Sequence, residues 1–142
     1  MEQEQIILVQ ESFAKVEPIS DLAATLFYKK LFECDPSLET LFEGDMAEQS
    51  QKLMQMLAVA VNGLSKPESI IPAVQALGRR HVHYGVVESH YATVGEALLW
   101  ALGEGLEDDF TPEVEAAWAA AYNLLSSIML EAAAAVKQPV SA

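Results

Sequence analysis

The chain has one cysteine, Cys34, so it can close no internal disulfide and build no thiolate zinc site. A lone thiol of this kind reads as a packed or surface residue without a role. Glycine and proline are scarce, 7 and 6 in 142 residues, which argues against a turn-rich all-β fold and leaves long regular elements. Positive charge is scarce too. Lys and Arg number 8 against 21 Asp and Glu, for a net charge of −13. A chain this acidic lacks the basic face that phosphates require, so the expectation is no nucleic-acid partner. Anionic membrane surfaces and acidic redox partners are disfavoured on the same ground, while basic partners stay open. No apolar run approaches the roughly 20 residues of a membrane span. The Ala-rich C-terminal part is broken by Glu115, Tyr122, Asn123 and Glu131. The N-terminal MEQEQIILVQESF is acidic, and its IILV is too short for a signal segment, so the expected location is cytoplasmic.

What is present is hydrophobic residue in quantity, 51% of the chain against 20% charged, which suits a globular protein. A chain of 142 residues is expected to form one domain that buries roughly 68–70% of its unfolded surface. The expected domain is residues 1–136, with 137–142 as a C-terminal tail.

Every long segment has helical periodicity. Ile6, Val9, Phe13 and Val16 form one stripe, ended by Pro18. A second helix is expected after Ser20, a candidate cap, with Leu22, Leu26, Phe27 and Leu31 inward and Asp35-Pro36 at its end. A helical turn over 37–42 and a polar break at Glu43-Gly44-Asp45 precede a third helix, with Leu53, Leu57, Val61 and Leu64 on one face. The fourth carries Ile71, Val74, Leu77, His81 and Tyr84, and the fifth Tyr91, Val94, Leu98, Ala101 and Leu102. Thr111-Pro112 reads as a cap followed by proline at the first helical position. It opens a sixth helix with Val114, Trp118, Ala121, Leu125 and Ile128 inward, fraying after Val136. The fold class is all-α.

The stretch LGRRHVHYG holds two of the three histidines. Helical residues two apart point about 200° away from each other, so His81 and His83 do not share a site. His81 follows Val74 and Leu77 on the apolar face, whereas His83 groups with Arg79 and Arg80 and reads as solvated. A histidine on an apolar stripe is either a hydrogen-bonded core residue or a ligand, and the stripe alone does not decide. Neither H-E-x-x-H nor E-x-x-H occurs, so zinc-protease and di-iron spacings are missing. His90, near a helix start, suits a capping or surface role. A cofactor that brings its own equatorial nitrogens needs a single axial imidazole, and haem is such a cofactor.

LGRRHVHYGVVESHYATVGEALLWAL closely resembles the proximal region of bacterial single-domain globins, of flavohaemoglobin haem domains and of neuroglobin. LFYKKLFECDPSLETLF resembles the second helix and following corner of those globins, and FTPEVEAAWAAAYNLLSSIM their last helix. The segments stand in the family's order from about Ile6 to Met129. A full first helix sets the chain apart from the truncated globins.

The resemblance implies a globin fold, a three-over-three helical sandwich enclosing haem b (iron protoporphyrin IX), with His81 as the iron ligand. It makes Phe42 the aromatic wedge against the haem, a residue that otherwise reads as ordinary core. Tyr28 and Gln49 become the polar distal pair, with Leu53 over the iron; by pattern alone Gln49 reads as the edge of a stripe. Tyr91 becomes the proximal tyrosine, with Val94 beside the cofactor. Lys52 and Arg80 are expected to reach the propionates or else to be solvated charges. One departure stands out. Where relatives carry a supporting glutamate late in the last helix, this chain has about Ala133, with Glu131 on another face. An imidazole without that support pushes less electron density to iron, which speaks against peroxidase-like chemistry.

The function so implied is tight binding of dioxygen, for oxygen storage, transport or scavenging, with other diatomic gases as further ligands. Nitric oxide dioxygenation with a separate reductase is the enzymatic alternative. A globin-fold gas sensor or interaction module is the alternative of another class.

Overall fold

The computed structural model describes residues 2–42, 44–83 and 85–137, without the side chains of His83, Val136 and Lys137. Six α-helices run through them: α1 (Gln3–Val16), α2 (Ser20–Cys34), α3 (Met46–Asn62), α4 (Pro67–His83), α5 (Glu88–Leu106) and α6 (Pro112–Lys137). No strand occurs among the described residues. Glu43, Tyr84 and the side chain of His83 lie outside them, as do residues 138–142, most of the expected tail.

Local chemistry sets the ends of these helices. Thr111 caps α6 as expected, its hydroxyl accepting from the Val114 N–H at 3.2 Å. The start of α5 is held by His90, whose Nδ1 accepts from the Val87 N–H at 3.1 Å. Asp45 opens α3 by accepting from the Ala47 N–H at 2.9 Å. Ser20 departs from expectation. It is the first residue inside α2, because the helical turn Glu17–Ile19 runs directly into the helix and no side-chain cap is needed. The buried face of α2 is also rotated. Ala23, Ala24, Phe27, Tyr28 and Leu31 face inward, and Leu22 is 52% exposed. Small alanines let α2 lie close against α5, and Leu22 is left outside. Leu64 is buried but belongs to the turn Gly63–Ser65 beyond α3.

The first, third and fourth helices pack across the second, fifth and sixth in two layers of three. The broadest contacts are α4 on α6, α2 on α5 and α1 on α6. Leu31, Leu64, Val9 and Val16 are essentially solvent-free, each worth about 1.5–3 kcal/mol of burial. One polar contact sits inside this apolar core. Trp118 donates its indole N–H to Ser12 Oγ at 2.8 Å, and Ser12 donates to the Leu8 carbonyl at 2.7 Å. The tie joins α1 to α6 and leaves neither polar group unpaired. None of the described helices is long and apolar enough to cross a membrane.

Candidate functional site

The layers part between α3, α4, α5 and α6 to leave a cavity of about 160 Å³, whose empty space with its open mouth counted is about 820 Å³. From α4 come Val74, Leu77 and His81, three and four residues apart and hence on one face. Leu53, Met56, Leu57 and Ala60 of α3 form the opposite wall. Tyr91, Val94 and Leu98 of α5, and Tyr122, Leu125, Ser126 and Met129 of α6, close the rest with Phe27 and Val86. The turn after α4 reverses at Gly85, whose φ of +87° favours glycine over any other residue. That reversal brings Val86 and Tyr91 back beside His81.

His81 is the nitrogen ligand this cavity offers. Its Nδ1 lies 2.8 Å from the Leu77 carbonyl. A carbonyl only accepts, so Nδ1 carries the proton and the neutral ring keeps its lone pair on Nε2. Burial holds the pKa below the usual 6.5 and the positive charge of Arg80 acts in the same direction, against the bond to Leu77. The site therefore favours the neutral, metal-binding form. Among the described residues no three His, Cys, Asp or Glu side chains are grouped to hold an ion. A metal beside His81 must therefore bring most of its own ligands, and a flat macrocycle does so.

Tyr91 lies with its ring 6.4 Å from that of His81. Its hydroxyl is buried without a hydrogen-bond partner among the described residues, and burial raises its pKa. Ala133 is buried and Glu131 exposed, so the acid nearest in sequence faces solvent. Tyr91 is instead gripped through its backbone: its carbonyl accepts from the Tyr122 hydroxyl at 2.6 Å. The Tyr122 ring lies where a side chain at Gly95 would stand, 2.7 Å from the position of its Cβ.

Tyr28, Phe42 and Gln49 form a second cluster. Asp35 accepts from the Ser37 N–H at 3.1 Å and starts the turn Pro36–Leu41, which returns the chain so that Phe42 meets α2. Tyr28 packs edge-on against Phe27 at 5.0 Å and Phe42 at 5.4 Å, and stacks on Phe32 at 6.0 Å. Burial pushes its pKa from 10.0 up to about 12, opposed by a hydrogen bond from the Gln49 side chain. The phenol is thus a neutral donor at any working pH. Phe27 joins the two clusters, since it lines the cavity and packs on Tyr28.

Of the expected site residues, Leu53, His81, Tyr91 and Val94 line the cavity. Tyr28, Phe42 and Gln49 stand together beside it. Lys52 and Arg80 are exposed and belong to neither group, and Lys52 faces Glu48 across 3.6 Å. Sequence reasoning missed the roles of Tyr122, Ser126 and Met129 as cavity wall. Their spacing of four and three continues the face of Trp118, but the sequence pattern put Ala121, Leu125 and Ile128 inward and left these three out.

The model of the family described as Globin matches residues 25–129. A flavohemoprotein of Rhizobium meliloti (strain 1021) is 33% identical over 106 residues, covering 72% of this chain and 26% of its own length. A flavohemoprotein of Vibrio cholerae is 27% identical over 132 residues, 91% of this chain and 34% of its own. The chain thus spans about a third or less of these curated relatives. Among solved structures, an engineered carbene transferase built on a putative nitric oxide dioxygenase from Rhodothermus marinus superposes with a TM-score of 0.87. It has 27% identity and covers 96% of this chain and 95% of its own. A hexacoordinated heme protein from an anhydrobiotic tardigrade shares the fold, with a TM-score of 0.86 at 17% identity over 94% of this chain and 96% of its own.

Proposed function

The chain belongs to the globin family, and from that premise we propose that it holds haem b on His81 and binds dioxygen tightly. The observation that carries this reading is Tyr28, a buried neutral hydroxyl packed among aromatic rings with the half-buried Gln49 amide against it, beside a cavity that offers one neutral imidazole. Held between those walls, haem would supply a ferrous iron able to take a diatomic gas. The residues supply the rest. Leu77 fixes the His81 ring by accepting from Nδ1, which directs Nε2 to the metal. Leu53, Val94, Leu98 and Leu125 exclude water from the faces of the macrocycle. Phe42 wedges against it from the Tyr28 side. Tyr28 and Gln49 donate hydrogen bonds to a ligand that draws negative charge, as dioxygen does and carbon monoxide does far less. Each such bond is worth about 1.5–3 kcal/mol. Every ~1.4 kcal/mol is tenfold, so two donors slow release by orders of magnitude. Lys52 and Arg80, exposed near the two walls, are assigned to the propionates.

The test has two stages. Apoprotein titrated with hemin and then reduced with dithionite should develop a haem spectrum; a protein that stays colourless refutes the reading. Tyr28→Phe should then release dioxygen at least about tenfold faster in stopped flow. An unchanged rate removes Tyr28 from its role.

A second reading is favoured by the likeness to the putative nitric oxide dioxygenase over nearly the whole chain. Nitric oxide, dioxygen and one electron combine to give nitrate, so each turnover draws an electron from a reductase. Nitric oxide consumption that requires added reductant and yields stoichiometric nitrate would establish it.

A further inference from the structure

We infer that Gly78 is a positioning residue that sets how far His81 reaches into the cavity. The inference rests on the haem reading above. α4 and α6 make the most extensive helix contact of the fold, and at Gly78 their backbones meet. A Cβ at residue 78 would lie 2.4 Å from the Met129 carbonyl oxygen, 2.7 Å from its Cα and 2.9 Å from its carbonyl carbon. Contacts under 3.0 Å are essentially never made by a real Cβ. Gly63 and Gly95 would also meet close neighbours, but those are side-chain atoms of Ile70 and Tyr122. Gly78 alone is blocked by main chain. A helix backbone cannot rotate aside, so any side chain at 78 must push α4 away from α6 by about an ångström to reach ordinary contact at 3.4–4 Å.

What would move with α4 is the ligand assembly. Leu77, next to Gly78, lines the cavity and its carbonyl accepts a hydrogen bond from His81 Nδ1; His81 lies one turn further on. These residues form one rigid helical turn, so its separation from α6 at Gly78 sets the depth of the imidazole. Met129, the residue that Gly78 touches, is itself part of the cavity wall. Metal–ligand distances hold within about 0.2 Å, so an ångström at the helix is a large error at the iron. A misplacement of this size costs on the order of 100-fold in a pre-organised site.

The test compares Gly78→Ala with Leu64→Ala, a substitution in the buried core that lines no part of the cavity. Each full chain is titrated with hemin, reduced, and examined by resonance Raman for the iron–imidazole stretching band, with the thermal midpoint measured before hemin is added. The expected result is that Gly78→Ala weakens hemin binding by roughly 100-fold and shifts the band. Leu64→Ala should lower the midpoint but leave the band in place. In a His81→Gly background with free imidazole as ligand, Gly78→Ala should no longer move the band, because that ligand is not tied to α4. An unmoved band in Gly78→Ala, or an equal shift in Leu64→Ala, overturns the inference. If Gly78→Ala does not fold in buffer, it is folded in sucrose or trimethylamine N-oxide, which strengthen burial without altering the Gly78–Met129 contact, and an unmoved band there overturns the inference. Wild-type protein that takes up no hemin refutes the haem reading and this inference with it; normal uptake with no band shift refutes the inference alone.

Discussion

The two sides of the cavity are built on different principles. On the His81 side, α4, α5 and α6 are brought together by small residues and backbone contacts: Gly78 against the Met129 main chain, and Gly95 beneath the Tyr122 ring, whose hydroxyl holds the Tyr91 carbonyl. On the Tyr28 side, α2 and α3 meet through large side chains, with Phe27, Tyr28, Phe32 and Phe42 packed ring against ring and Gln49 completing the polar pair. Backbone contacts leave no slack, whereas a side-chain cluster can change one atom and keep its packing. The imidazole side should therefore answer to mutation by losing the cofactor, and the tyrosine side by changing how long a gas ligand stays.

That contrast can be tested by substitutions of decreasing expected effect. His81→Gly should abolish stable hemin retention, a loss beyond the ~10–100-fold typical of removing an outer partner of a ligand. Hemin recovered by gel filtration measures it, and retention at wild-type level would erase the contrast. Tyr28→Phe, on the other side, should leave hemin retention intact while it speeds dioxygen release. Gln49→Leu should act in the same sense but at the low end of the range for such a bond, roughly tenfold for about 1.5 kcal/mol, because the Gln49 amide is only half-buried and shares its donor with solvent. A Gln49 effect larger than that of Tyr28 would reverse the order assigned to the two donors. Lys52→Met removes an exposed partner of Glu48 one helical turn away, worth below about 0.5 kcal/mol. The thermal midpoint of the apoprotein should barely move, and weaker hemin binding would locate Lys52 at a propionate.

The smallest expected effect is a flat line. Burial raises the Tyr28 pKa from 10.0 to about 12, so the folded protein keeps the phenol proton where an exposed tyrosine has lost it. Dioxygen release should not change as pH rises through 10. The sign for stability is the opposite of a benefit: between pH 10 and about 12 the unfolded chain sheds this proton first, and the folded state loses stability over that window. Release that accelerates near pH 10 would mean that Tyr28 is solvated.

Helix number, the face of His81 and the caps at Thr111 and His90 were legible because each depends on residues within a turn or two. Leu22 was not, since the rotation of α2 is decided by how closely α5 can approach Ala23 and Ala24. Ser12 falls outside the stripe of Ile6, Val9, Phe13 and Val16, and it is buried because its partner, Trp118, is supplied from 106 positions away. Gln49 stands at the edge of its stripe, and only the resemblance to globins singled it out; its contact with Tyr28 joins two different helices. Tyr122 stands four residues after Trp118 but reads in the sequence only as a break in the Ala-rich run. Nothing local distinguishes a tyrosine that fills core from one that grips a neighbouring carbonyl.

The Ser12–Trp118 tie also has a consequence for how the chain is made. Helix α1 leaves the ribosome well before α6, yet its polar anchor and much of its apolar cover come from α6. At about 5–20 residues per second, the 106 residues between the two partners take roughly 5–20 s to synthesise. Throughout that interval the stripe of Val9, Phe13 and Val16 lacks its α6 cover, which leaves apolar surface open to chaperones and to misassociation. Once Trp118 has emerged, α1 can dock on α6, a contact that closes the loop of the residues between them.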